Sequence, residues 1–267
     1  MLDLLIVPTV AALVILGLHA YLGLHVIARG VIFVDLAFAQ IAALGATFAL
    51  LWGVPHDSMV SYAVGFGFTL VGALIFSFTR MEDSKVPQEA IIGITYVVAS
   101  AAVLLLAGLT AEGAEHVNET LTGTLIWADW GSVLQLAIPY SALGLFYWFA
   151  RKPIHAVTFA PETAKNPRLW DFVFYATFGL AITFSVAIAG VLMVFSTLVV
   201  PAVIAFFFTE HFGRALVIAW ISGAVAIVLG VSVSFWADVA TGPLLVCSFG
   251  AVLVAAALLK RLGLGAH

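Results

Sequence analysis

Few side chains in this sequence could do chemistry in an apolar medium, and they fall in three places. Asp35 and Gln40 sit five residues apart in the apolar run 31–53, Asp35 about one turn from its start and Gln40 near its middle. A carboxylate and an amide are costly at membrane depth unless they pair or line a path. On a helix the two project roughly 140° apart, so they cannot both face one narrow path. Asp35 has two local alternatives, an ion pair with Arg29 or the capping of a helix start; for Gln40 the alternative is a hydrogen bond to another helix. His19 lies in the middle of the run 5–27, where an imidazole serves either as a ligand or as a hydrogen-bonded packing group. Asp35, Gln40 and His19 are the candidates for a substrate path. His116 and Glu119 are three apart in a segment, 109–131, that also holds Glu112, Glu115 and Asp129 and no basic residue. On one helix face, imidazole and carboxylate suit zinc or manganese. A solvated acidic surface is the alternative, because two ligands do not complete a site. The metal-binding candidates are therefore Asp35, His116 and Glu119.

Other chemistries lack their residues. There is no G-x-x-x-x-G-K-[ST] phosphate loop, no H-E-x-x-H and no G-x-S-x-G. No row of carboxylates inside the apolar runs forms a proton relay. No catalytic residue and no cofactor of the chain's own is expected. An intramembrane enzyme lacks a nucleophile and base, and a secondary carrier lacks charge pairs. What remains is a conduit driven by something else.

The elements that must position these residues are membrane helices. The chain has 267 residues, of which 64% are hydrophobic and 9% charged, whereas a soluble domain carries about 25% charged residues. Apolar runs near the ~20 residues needed to cross a bilayer fall at 5–27, 31–53, 59–79, 89–108, 132–150, 171–189, 190–208, 215–236 and 243–259. The expectation is an all-α polytopic membrane protein, residues 1–267 forming a single transmembrane domain of nine spans. The number is eight if 171–208 is partly re-entrant, since only Ala189-Gly190 and Pro201 interrupt it. With nine spans starting outside, all 10 Lys and Arg residues fall on inner segments, as the positive-inside rule requires. That places the N-terminus outside and the C-terminus in the cytoplasm. Small residues at one-turn spacing, Ala39/Ala43, Ala63/Gly67 and Ala251/Ala255, allow close helix packing. A net charge of −4 gives no reason to expect nucleic acid. The single Cys247 excludes an intrachain disulfide.

The stretch 151–170, RKPIHAVTFAPETAKNPRLW, is a polar island between apolar runs and holds four of the basic residues. Connections are usually shorter. Within it, Phe159-Ala160-Pro161-Glu162-Thr163-Ala164-Lys165 has the signals of a short helix. Pro161 suits its first position, Glu162 suits the positive end of its dipole, and Asn166-Pro167 ends it. A cytoplasmic loop at 151–170 with its own helix is expected to touch a partner.

Five pieces in order resemble one family. They are Ile32-Phe33-Val34-Asp35-Leu36 through Gln40 to Gly45, Gln88-Glu89-Ala90-Ile91-Ile92-Gly93-Ile94, Leu121-Thr122-Gly123-Thr124-Leu125-Ile126, the segment Phe159 to Lys165, and Gly190-Val191-Leu192 through Val199-Val200-Pro201-Ala202. Together they resemble the ABC-3 type permease subunits of bacterial ABC importers for zinc, manganese and iron. The resemblance implies a plasma-membrane permease working by alternating access. Its implied partners are a cytoplasmic ABC ATPase holding ATP and magnesium, an extracytoplasmic substrate-binding protein and a second permease subunit, most simply a second copy. It makes Phe159, Ala160, Pro161, Glu162, Ala164 and Lys165 the ATPase-coupling residues. It also exposes two departures. The family's Asp and His in the second span, four apart, align with Leu36 and Gln40, and Ala160 replaces the family's capping Asp. The implied cargo is zinc or manganese; a metal chelate or other small solute is the alternative that Leu36 and Gln40 suit better.

Overall fold

A computed structural model describes residues 3–55, 58–79, 86–109 and 113–262, without the side chains of 3, 4 and 113–117. Among them the regular structure is helical: α1 Asp3–Arg29, α2 Val34–Leu50, α3 Met59–Thr79, α4 Gln88–Ala107, α5 Gly113–Thr122, α6 Trp130–Phe159, α7 Pro167–Phe208, α8 Phe212–Ala237 and α9 Thr241–Arg261. Single 3-10 turns occupy Leu125–Trp127 and Pro161–Thr163. Seven of the helices are long and apolar enough to cross a membrane. That number counts α7 once and omits α2, whose 17 residues reach about 25 Å. The chain is a multi-pass membrane protein.

Local signals set the helix ends. Arg29 closes α1 and Gly30 follows at φ 67°, the left-handed conformation that commonly terminates helices. Asp129 caps α6: the Ser132 N–H donates to its Oδ1 at 2.7 Å and the Ser132 hydroxyl at 2.8 Å. These donors favour the ionised form and hold the Asp129 carboxyl below its usual value.

At 42 residues, α7 would measure about 63 Å if straight, twice a hydrocarbon core of about 30 Å. It is interrupted at Gly190, with φ 75° and ψ 158°, a conformation essentially confined to glycine. The interruption falls where Ala189-Gly190 marks the sequence. Pro201 lies inside the second limb without ending it. The break strands the Ile188 carbonyl, and the Thr124 N–H donates to it at 3.0 Å. Gly123, also at positive φ, sits against Ala189 and Gly190 with no room for a side chain on either glycine.

The chain divides into two compact units, each discontinuous in sequence. One comprises residues 1–27, 122–140 and 188–267, and the other 28–121 and 141–187. In the first, α8 packs on α9, and α9 on the turn at Leu125–Trp127. In the second, α2 packs on α3 and α4. A side chain on Gly45 would lie 2.7 Å from the Gly65 Cα, so these two glycines let α2 and α3 approach closely. Phe38, Phe76, Tyr175 and Phe178 fill that unit's core, Phe38 and Phe76 edge to face at 5.3 Å. Of the small-residue pairs, Ala39/Ala43 is buried, whereas Ala63/Gly67 and Ala251/Ala255 lie on exposed faces. The packed stripe of α3 is instead Ser61, Gly65 and Thr69.

Candidate functional site

The second unit holds both candidate polar residues of α2, on different sides, as their angular separation requires. Asp35 is 1% exposed. Its Oδ1 accepts the Leu36 N–H at 2.8 Å, while Oδ2 is buried with no hydrogen-bond partner among the described residues. It does not pair with Arg29. Glu89, in the first turn of α4, lies close enough to interact electrostatically with Asp35. The Phe33 N–H, at the start of α2, donates to Glu89 Oε1 at 3.0 Å, and Oε2 is buried without a hydrogen-bond partner among the described residues. Two carboxylates thus meet the positive end of α2, where partial charge favours anions. Each keeps one oxygen unspent. They are short of a metal site by themselves, and no group of three ligating side chains occurs among the described residues.

Gln40 lies on the other side. Leu36 and Leu44 are partly exposed, with Gln40 between them at one-turn spacing. Gln40 makes no side-chain hydrogen bond among the described residues, and its amide is not among the sealed polar atoms. Gln40 as a whole is 7% exposed. Leu36 lines an apolar cavity of about 620 Å³ with Phe33, Gly93, Ile94 and Val97 of α2 and α4. The positions aligned with the family's Asp and His therefore lie on this face, and here they carry an alkyl group and a neutral amide. Neither is a good ligand for a divalent cation.

His19 belongs to the first unit and is fully buried. Its Nδ1 lies 3.2 Å from the Thr197 hydroxyl and its Nε2 lies 3.0 Å from the Tyr140 hydroxyl. Both ring nitrogens are occupied, the arrangement of a packing histidine that ties α1 to α6 and α7. His116 and Glu119 both fall on α5; the side chain of His116 lies outside the described residues.

The island at 151–170 is mostly not a loop. α6 continues through Arg151, Lys152 and Pro153 to Phe159, and α7 begins at Pro167. The apolar pattern stops at 150, but backbone hydrogen bonding carries the helix another nine residues, past a proline it absorbs. The connection is 160–166, and its expected helix is one 3-10 turn, Pro161–Thr163. Pro161 starts that turn, Ala160 gives no side-chain cap, and Thr163 N–H donates to the Ala160 carbonyl at 2.9 Å. Pro167 starts α7 rather than merely ending the segment, and Asn166 before it is left-handed at φ 54°. Glu162 and Lys165 are exposed, Ala164 is partly covered, and Phe159 keeps 40% of its surface.

Beneath this tip sits a cluster that single-sequence spacing does not reveal. Arg29 is buried. Its Nη1 donates to Asp171 Oδ1 at 2.7 Å, its Nε donates to the Thr158 hydroxyl at 3.0 Å, and its guanidinium carbon lies 3.9 Å from the Phe174 ring centre. The partners are 129 and 142 residues away in sequence.

Known proteins are similar over most of the chain. The chain is 25% identical over 232 residues to the chelated iron transport system membrane protein YfeC of Yersinia pestis, covering 85% of this chain and 76% of the relative. It is 25% identical over 231 residues to the manganese transport system membrane protein MntB of Synechocystis, covering 85% of this chain and 73% of that one. Its fold is similar to that of a chain of PsaBC from Streptococcus pneumoniae, solved in complex with Fab: TM-score 0.77, 18% identity, 94% of this chain and 89% of that chain covered. The model of the ABC 3 transport family matches residues 1–260, and the chain belongs to that family, as a permease subunit in the plasma membrane.

Proposed function

We propose that this chain forms the membrane path of an ATP-driven metal importer, in which a separate ATPase supplies energy and the permease alternates its access. The observation that carries the reading is the exposed connection 160–166, presented by two helix ends in a chain of this family. Phe159, Ala160, Pro161, Glu162, Ala164 and Lys165 are the surface on which the ATPase seats. An exposed apolar residue beside charged ones is a common composition for a docking tip. An odd number of crossings, nine with α7 turning at Gly190, puts this tip and all basic residues on the cytoplasmic side. A second permease copy and an extracytoplasmic binding protein complete the assembly.

The proposed path runs along the face of α2 that carries Leu36, which lines the apolar cavity, and Gln40 one turn further on. A cation stripped of its shell finds no ligand there, so the cargo crosses as a metal within its own ligand shell. YfeC, named for chelated iron, is consistent with this. A second reading, free zinc or manganese, is favoured by the Asp35–Glu89 pair with its two unspent oxygens and by the likeness to MntB. The test is uptake by vesicles containing the complete complex, supplied with radioactive zinc, manganese or ferric citrate. ATP-dependent uptake of the chelate, with none of the free metals, is the expected outcome. Uptake of free zinc or manganese that is lost in Gln40→Ala overturns it in favour of the ion. Uptake without ATP rejects the importer altogether.

A further inference from the structure

We infer that Arg29 is a positioning residue for energy coupling: it fastens the end of α1 to both helix ends that present the connection 160–166, and so passes movement of that connection into α1. The inference rests on the importer reading above.

The geometry is that of a cross-brace. Thr158 is the penultimate residue of α6, and Asp171 lies in the opening turns of α7. One guanidinium reaches both, through Nε and Nη1. Thr158 is oriented to receive it, because its own hydroxyl proton goes to the Ile154 carbonyl at 2.9 Å, leaving the oxygen free to accept from Arg29. Phe174, one turn beyond Asp171, closes the face of the guanidinium at 3.9 Å. The planar guanidinium supplies two directed donors and a stacking face at once, which the ammonium of lysine does not. The pair is sealed, with 1% exposure for the Arg29 side chain and 7% for Asp171, so water does not screen or replace it.

What the brace holds is otherwise soft. The turn Pro161–Thr163 has no buried residue and no side-chain cap, and Asn166 is in the left-handed region. A force on the tip would bend the connection were its two stems not tied. With both stems fixed to one residue, the force displaces the stems together. Arg29 is the last residue of α1, whose preceding residues up to 27 belong to the other compact unit. The displacement therefore has a continuous helix to follow. The third guanidinium nitrogen, Nη2, is buried without a hydrogen-bond partner among the described residues. Such an orphan is costly, and it leaves a donor that a shifted arrangement of the stems can satisfy.

Two arms test this. In the first, the permease alone in lipid nanodiscs is followed by amide hydrogen exchange. Arg29→Lys keeps the charge but loses the fork, and should speed exchange at the end of α6, the start of α7 and the last turn of α1 together. A change confined to α1 overturns the brace. In the second, the complex with its ATPase and binding protein is reconstituted, and uptake and ATP hydrolysis are measured in the same vesicles. Arg29→Lys should co-purify with the ATPase and keep hydrolysis, while uptake per ATP falls about tenfold, within the range of ordinary coupling energies. Asp171→Asn and Thr158→Val should shift that ratio the same way. Trp220→Phe, which deletes another bond to α1, Trp220 Nε1 to the Gly17 carbonyl at 3.0 Å, should leave it unchanged. Uptake and hydrolysis falling in proportion, or neither falling, overturns the coupling role. A wild-type complex without ATP-driven uptake overturns the importer reading and the coupling role together, while the exchange arm still decides the brace.

Discussion

Asp129 shows how a single exposed carboxylate can matter at the end of a membrane helix. Its carboxyl is held below the ordinary aspartate value of 3.8 by the Ser132 N–H and hydroxyl. A depressed acid stabilises the fold above its unfolded-state value and ceases to as pH falls through the folded one. The thermal midpoint of Asp129→Ala should therefore lie below that of wild type at neutral pH, and the gap should close as pH drops below about 3.8. His19 gives a different kind of prediction. Tyr140→Phe removes one of its two hydroxyl partners and should cost about 0.5–1.5 kcal/mol in detergent unfolding, with ATP-driven uptake retained. Loss of uptake at unchanged stability would return His19 to the path. At this scale the sequence was partly legible. The angular separation of Asp35 and Gln40 was readable from helix geometry. The partners of His19 and Arg29, and the Glu89 carboxylate beside Asp35, were not, because they come from helices distant in the chain, and spacing within one run carries no record of them.

The elements repeat that lesson with one instructive exception. Each expected apolar run coincides with a helix or a limb of α7, because burial of apolar stretches in lipid needs little beyond length and composition. The island at 151–170 was misjudged because polarity ends a membrane span but not a helix. α6 leaves the apolar zone at about residue 150 and keeps its hydrogen bonds to Phe159. The pairs Ala63/Gly67 and Ala251/Ala255 have the spacing of a packing face and yet are exposed; small residues permit contact without specifying it. The break in α7 yields an element-scale prediction. At Gly190, φ 75° and ψ 158° disfavour any other residue by on the order of 1–3 kcal/mol before crowding by Gly123 is counted. Gly190→Ala should lower the yield of folded permease in size-exclusion chromatography. Gly17→Ala, at a helical glycine with open space around it, should not.

For the molecule as a whole, family membership covers nearly the full length, and in the function proposed above the driver and the cargo meet different parts of the chain. The driver's part, 160–166, has one exposed turn on tied stems. The cargo's part, the Leu36–Gln40 face, carries an alkyl group and an amide where the resemblance implies Asp and His. These parts should separate experimentally. Glu162→Lys at the tip should reduce ATPase co-purification while leaving the permease folded. Leu36→Asp with Gln40→His, which restores the aligned pair, should raise uptake of free zinc or manganese relative to chelate. If the double variant transports neither better than wild type, cargo choice lies elsewhere on the path.

The hydrogen bond from Thr124 to the Ile188 carbonyl also has a consequence in time. The two residues are separated by 64 positions, so on the ribosome the first is made well before the second. At about 5–20 residues per second, the segment around Gly123 waits roughly 3–13 s for the break it will seal. During that interval α6 and the first limb of α7 must be inserted with the seal absent. Nascent chains arrested before residue 188 should expose a cysteine placed at Thr124 to an added thiol reagent, and chains arrested well beyond 208 should protect it. The break in α7 is thus sealed late in biosynthesis, by a segment that was made early and held in waiting.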